Sequence, residues 1–278
     1  WFGSDTIVML AIVSAVALSV LVVWELTDRH PVVDFNLFGQ RNFLVGTVIL
    51  SIGYLVFFGN VVILPLWLQT NMGYTATQSG LAAAPIGILP VFLSALVGKN
   101  MNKLDLRVWA SFSFAVFAAV SFWNSHFNTD VSFQQIVMPR LLMGFGVATF
   151  FVPLTALTLA DIPPHMMASA TGLSNFSRIL AGSFGTSLSI TLWDRRADFH
   201  HSTLTSHISA FDTRLADTFG SLANPATDPA MLEQIINQQA VLMATNDIFW
   251  LSGCFFVGLM LLVWLARPPS RIGVPVVG

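Results

Sequence analysis

Seven apolar stretches divide this chain, at residues 4–24, 43–69, 78–98, 106–124, 134–160, 168–193 and 247–266. A hydrocarbon core about 30 Å thick takes about 20 residues of α-helix to cross, and each stretch is close to that length or longer. No water in that core can satisfy the backbone, so each stretch has to be a helix that pairs its own N–H and C=O groups. The pattern predicts an all-α, polytopic transmembrane helix bundle whose first partner is the lipid bilayer.

Composition bears on what the surface can face. Charged residues make up 9% of the chain, against about 25% in soluble domains. Its 24 Phe and 8 Trp, against 2 Tyr, suit a lipid-facing exterior with interfacial anchors such as Trp24, Trp193 and Trp264. The net charge of −2 gives no reason to expect a nucleic-acid partner. Cys254 is the single cysteine, so no internal disulfide can form. The chain opens at Trp1, already entering a helix, and reads as a piece of a longer protein.

Basic residues set an orientation. The breaks after the first, third and seventh stretches carry Arg29 and Arg41, then Lys99, Lys103 and Arg107, then Arg267 and Arg271. The breaks after the second and fourth carry none. Positive charge in short loops stays cytoplasmic, so the first helix runs inward and the C-terminus ends in the cytoplasm. Residues 194–246 then fall on the outer side. Within them Leu204, Ile208, Phe211, Leu215 and Phe219 recur at helical spacing, and a second helix is expected to start at Asp228–Pro229. This segment is either a hairpin packed on its own bundle or a docking face for a periplasmic protein.

The sixth stretch carries the sharpest pattern. Thr171, Asn175, Arg178, Gly182, Gly185 and Ser189 follow at spacings of three and four, so they share one helix face. Gly182 and Gly185 suit close helix approach. Arg178 is costly inside a bilayer, about 2.5–3.5 kcal/mol on insertion scales, and is either bonded to a broken helix or turned into a cavity. Arg140 lies within snorkelling reach of the outer interface, where anchoring is the first reading and cavity lining the second. Tyr54, Phe57 and Asn60 share a face of the second stretch, as packing or as cavity wall. Pro65, Pro85, Pro90, Gly144, Gly146 and Pro153 interrupt three helices. Pro85, Pro90, Gly144, Gly146 and Pro153 are the hinge or gating candidates of a body that rocks between two states.

Absences matter as well. No Asp or Glu stands at mid-bilayer, so a main proton-carrying acid would lie outside this chain. His200, His201 and His207 form a trio read as lying in a polar loop without nearby acids, which argues against a metal site there. No phosphate-binding loop and no Ser/His/Asp constellation supports an enzyme or an ATP-driven pump. No catalytic residue, metal or cofactor is expected.

Several runs carry a resemblance: Gly80-Leu-Ala-Ala-Ala-Pro-Ile-Gly-Ile-Leu-Pro90, Phe151-Val-Pro-Leu-Thr155, Leu173-Ser-Asn-Phe-Ser-Arg-Ile-Leu-Ala-Gly-Ser-Phe-Gly-Thr186 and Asn246-Asp-Ile-Phe-Trp250. Over nearly its whole length the chain resembles the drug:proton antiporters of the 14-helix branch of the major facilitator superfamily. The resemblance implies that residues 1–42 hold a linker helix and a cytoplasmic connection. Residues 43–278 would be the C-terminal six-helix transport domain, with the periplasmic loop at 194–246. It implies export of hydrophobic drugs from the inner membrane, driven by the proton gradient, with a periplasmic adaptor and an outer-membrane channel as partners. It places Asn60, Arg140, Asn175 and Arg178 on cavity-lining helices. One departure is visible in the superfamily's loop motif. Counted from Gly98, Asn102 stands where an Asp is usual and Asp105 where a Gly is usual, so no gating salt bridge is assigned. A solute importer or siderophore exporter on the same fold, and a membrane scaffold or enzyme, are the rival readings.

Overall fold

The computed structural model describes residues 4–27, 35–207 and 229–268. Eight α-helices appear among them: α1 (Asp5–Thr27), α2 (Arg41–Thr70), α3 (Ala76–Ala83), α4 (Ile88–Asn100), α5 (Leu106–Asn124), α6 (Phe133–Leu159), α7 (Met167–His207) and α8 (Pro229–Leu262). Five apolar spans are long enough to cross a membrane: α2, the α3–α4 segment, α5, α6 and the stretch Ala230–Leu265. The chain is therefore a multi-pass membrane protein.

The first and sixth expected spans are carried by α1 and α7. The first is the 23-residue helix α1, and its Met9, Leu10 and Trp24 stay about two-thirds exposed. The sixth stretch lies in α7, where Ser, Thr, Asn and Arg interrupt the apolar run on the side that meets α2. The third stretch divides at Pro85, with a 3-10 turn at Ala84–Gly87 between α3 and α4. Proline lacks the N–H that an α-helix needs there, and the tighter turn carries the chain past it. Pro65 and Pro153 are instead absorbed inside unbroken helices, as is Pro139.

Local signals fix the helix starts. Thr75 and Ser132 each open a helix through a capping box, with Gln78 and Gln135 reaching back to the cap backbone. Asp105 caps α5 by accepting from the Arg107 amide at 2.9 Å. Helix α8 is described from Pro229 on, and the rest of the expected helical segment, Ile208, Phe211, Leu215, Phe219 and Asp228, lies outside the described residues.

Three apolar clusters stack along the bundle. Leu37, Phe43 and Leu173 form one at the end that bears Arg41, Arg107 and Arg267, here termed the near end. Phe57, Phe114, Phe117, Phe150 and Phe256 fill the middle. Trp67, Phe127, Trp193 and Phe249 fill the far end. Between the middle and far clusters sit buried polar residues from four helices: Asn60, Ser121, Asn124, Arg140 and Ser252. In a bilayer each such group needs a partner inside the protein. Ser252 supplies one, with Oγ 3.0 Å from Asn60 Oδ1.

The near end is tied by contacts between residues far apart in sequence. Asn42 donates to Asp161 at 2.6 Å and accepts from the Arg267 amide at 2.7 Å, while Arg41 donates to the Leu265 carbonyl at 2.8 Å. Arg107 grips Asp105, donates to the Ala266 carbonyl at 3.2 Å and lies 5.1 Å over the Trp264 ring. The beginnings of α2 and α5 are thereby fastened to the end of α8.

Candidate functional site

The α2–α7 seam is where the sequence pattern and the geometry meet. A Cβ on Gly185 would collide with the Leu55 backbone carbonyl, one on Gly59 would collide with Ser189, and Gly182 faces Phe58 and Tyr54. Residues without side-chain bulk let the two backbones touch, as small residues do between membrane helices. The polar face of α7 is thus turned onto α2, and Arg178 is held at the seam.

There the Arg178 guanidinium lies 5.1 Å over the Tyr54 ring. Its Nε is buried without a hydrogen-bond partner among the described residues. The electron-rich ring face offsets part of the cost of the charge. Tyr54 in turn belongs to a nest of aromatic rings. It stacks on Phe58 at 5.5 Å and meets Phe151 edge-on at 5.4 Å, and Phe151 meets Phe150 at 4.9 Å. Arg178, Asn175, Tyr54 and Phe151 are half-buried, and Phe58 is 37% exposed. The result is a partly open apolar and aromatic surface across α2, α6 and α7 with one cation in it. Such a surface can hold flat, hydrophobic molecules without demanding one hydrogen-bond pattern.

Other sequence candidates fall elsewhere. Phe57 is buried against Phe58 and Phe117, and Asn60 is 2% exposed against Ser252, so both belong to the bundle interior and not to an open wall. Arg140 corrects the anchoring reading: it is 2% exposed and does not snorkel, because α6 turns it inward between Ile136 and Met143. Gly144 gives α6 a close seat against the Ile86 carbonyl, Leu89 and Pro90. Gly146 takes the Phe117 ring in the same way, where an added Cβ would lie 2.5 Å away. The hinge candidates Pro85 and Pro90 thus sit at the 3-10 break and pack on α6, while Pro153 stays within a continuous helix.

The histidine reading is corrected too. Helix α7 runs on to His207, so His200 and His201 stand on a helix and not in a loop, and both meet acids. Asp247 accepts from Arg196 Nε at 2.8 Å and Nη2 at 2.5 Å, and His200 Nε2 lies 2.7 Å from the same oxygen. His201 Nε2 lies 2.8 Å from Glu233. These pairs join α7 to α8 across 32 to 51 residues of sequence, a separation that no local pattern could bridge. Beside them, a groove of about 350 Å3 runs along Leu192, Arg196, Asp247, Ile248 and Trp250. The buried Trp193 indole N–H donates to Thr245 at 2.8 Å and adds a further tie. Among the described residues, no group of three or more His, Cys, Asp and Glu side chains could hold a metal ion.

The broken third span, the glycine-seated seams and the aromatic–cationic face belong to a bundle of membrane-spanning helices. The chain belongs to the Major Facilitator Superfamily, whose sequence profile matches residues 1–186. It is 41% identical to the multidrug export protein EmrB of Escherichia coli strain K12 over 278 residues, 98% of this chain and 54% of that protein. It is 43% identical to the EmrB of Haemophilus influenzae over 97% of this chain and 54% of that protein. It is also 42% identical to the fatty acid resistance protein FarB of Neisseria gonorrhoeae over 98% of this chain and 55% of that protein. The chain spans about half the length of these curated relatives.

Proposed function

We propose that this chain is the C-terminal half of a multidrug exporter that moves hydrophobic compounds out through the bacterial inner membrane. The observation that carries the reading is the partly open face of Tyr54, Phe58, Phe151 and Arg178, in a chain more than 40% identical to multidrug export proteins. Aromatic rings give area without fixed hydrogen-bond demands, which is what a broad substrate range needs. The cation adds orientation for polarised or anionic groups.

In this reading residues 1–42 are a linker helix with its cytoplasmic connection, and residues 43–278 are the transport domain. The near end, rich in Arg and Lys, faces the cytoplasm, and the C-terminus ends there. Transport runs by alternating access, with the break at Pro85 and the seats at Gly144 and Gly146 taking up the relative motion. Protons flow inward in exchange for substrate, and the proton-carrying acid lies in the other half. The far ends of α7 and α8 meet a periplasmic adaptor that hands substrate to an outer-membrane channel.

The test is expression of the full-length protein with its adaptor in an efflux-deficient bacterium. Tolerance to hydrophobic toxic compounds should rise with the wild type and not with Arg178→Ala at equal membrane abundance. Proteoliposomes holding the wild type should take up protons as substrate leaves. Unchanged susceptibility with the wild type would end the exporter reading.

A further inference from the structure

At the far end, α7 and α8 share a charge pair that is only half used. Arg196 donates through Nε and Nη2 to Asp247 Oδ2, at 2.8 and 2.5 Å, and His200 Nε2 lies 2.7 Å from the same oxygen. All three contacts converge on one carboxylate oxygen. Asp247 Oδ1 and Arg196 Nη1 make no hydrogen bond among the described residues. The two side chains are 38% and 43% exposed, and the Phe199 ring lies 5.0 Å from the guanidinium carbon. An unshared carboxylate oxygen and an unshared cationic N–H group therefore stand side by side, within reach from outside the bundle.

Their depth is set by the helices that carry them. Asp247 opens the seventh apolar stretch, and Arg196 lies about one turn past Trp193, where the sixth ends. The pair thus marks the boundary between hydrocarbon and water. On its membrane side, the groove of about 350 Å3 is walled by Leu192, Ile248, Trp250 and Leu251. Trp250 is 56% exposed there, and a tryptophan at that level suits the headgroup region.

The groove has a continuation. Leu251 also lines a second one, of about 360 Å3, that follows α8 past Cys254 and Gly258 to Leu262, with Ile52 of α2 on its wall. Gly258 has no atom within 4 Å of an added Cβ, so the floor is open there. From Asp247 to Gly258 the helix advances by about 16 Å, close to half of a core about 30 Å thick. A doubly charged end at the boundary, followed by an apolar trough one leaflet deep, has the outline of a phospholipid.

Charge complementarity selects the head. A phosphate oxygen accepts from Arg196 Nη1, while an ammonium group donates to Asp247 Oδ1. A purely anionic head gains the first contact and is opposed by the carboxylate. A trimethylated ammonium has no N–H to donate. We infer that this α7–α8 groove binds a phospholipid of the far-end leaflet whose head carries a phosphate and a primary ammonium, with one acyl chain in the trough along α8. The lipid is a bound component and not cargo, so the inference stands apart from the exporter reading.

The test uses the purified, delipidated full-length protein in detergent. Bound lipid is counted by native mass spectrometry, and the thermal midpoint is followed as lipid is added. Dioleoyl phosphatidylethanolamine is compared with the phosphatidylcholine and phosphatidylglycerol of the same chains, and with phosphoethanolamine, the head without its chains. The ethanolamine lipid should bind about fivefold more tightly than the other two, the upper end for a partly exposed charge pair. Asp247→Asn should bring it down to the level of the choline lipid and leave the choline lipid unchanged. Gly258→Leu, which has room for its side chain and places it in the trough, should weaken all three lipids together. Equal binding of the three lipids to the wild type overturns the proposal, as does an ethanolamine preference that survives Asp247→Asn. Phosphoethanolamine binding as tightly as the lipid assigns the pair to a free phosphate ester and overturns it too. Should Asp247→Asn not fold, Gly258→Leu equal to the wild type for all three lipids is the overturning result.

Discussion

Gly185 of α7 meets the Leu55 backbone carbonyl of α2 so closely that no methyl group fits between them. The obstacle is backbone and not a flexible side chain, so neither partner can yield without parting the two helices. Gly185→Ala should cost about 1–3 kcal/mol, the usual range for overpacking. Gly172, with nothing within 4 Å of an added Cβ, is the control. Gly172→Ala should be neutral or stabilising by up to about 1 kcal/mol through helix propensity. Thermal midpoints of the full-length protein in detergent check both, and equal midpoints for the two variants would refute the close seam.

The Arg178–Tyr54 pair should be energetically coupled. A cation over an aromatic face contributes about 0.5–2 kcal/mol depending on exposure. In a double-mutant cycle of Tyr54→Leu and Arg178→Ala, read through stability and export, the combined loss should be smaller than the sum of the single losses. Tyr54→Phe keeps the ring and should behave close to the wild type. Strict additivity would show that the 5.1 Å stack does not matter.

Two neighbouring ties at the far end should differ in strength. The Arg196–Asp247 pair has side chains 43% and 38% exposed, and for so exposed a pair Asp247→Asn should cost under about 1 kcal/mol. Trp193 and Thr245 are buried, and Thr245→Val leaves the indole N–H without an acceptor. That change should cost about 1–3 kcal/mol. Finding the reverse order in thermal unfolding would contradict the burial seen for the two pairs.

Acid sensitivity should map to the near end. The Arg107 side chain, hydrogen-bonded to Asp105, holds its carboxyl below the ordinary 3.8 against a smaller opposing effect of burial. A depressed folded-state value stabilises the protein above the unfolded value, and the gain is lost as pH falls through the folded one. The wild type should therefore lose stability below about pH 3.8. Asp105→Asn keeps a capping side chain but should lose that component of the pH slope. Identical slopes would remove Arg107 as its cause.

Long-range partners explain which parts of this molecule could be read in advance. The spans were legible because lipid imposes one rule on every residue in them, and Thr75 and Ser132 because a cap is a four-residue affair. The small-residue face of α7 was legible too, since spacing alone placed Gly182, Gly185 and Ser189 together. The burial of Arg140 is not legible in the same way, because depth along a helix says nothing about azimuth. Its place on the inward side of α6 depends on how α5 and α2 pack there. The acids that meet His200 and His201 leave no sequence signal, because the apolar pattern of α7 stops at Trp193 while the helix continues. Asp247 and Glu233 become neighbours only when α7 continues and α8 returns alongside it. The Arg41, Asn42 and Arg267 ties join positions more than 220 residues apart, and hydrogen-bond partners at that distance leave no local trace.

Helices α7 and α8 continue past their apolar segments, to His207 and from Pro229. At 1.5 Å per residue the extra lengths come to about 20 Å and about 27 Å beyond a core about 30 Å thick. Clasped by Asp247 and Glu233, the two form a stiff lever arm rooted in the bundle. A tilt of about 10° at the root would swing its tip by about 4 Å, by simple rotation of a rod of that length. Any tilt of the two helices at their root is in this way enlarged at their tips.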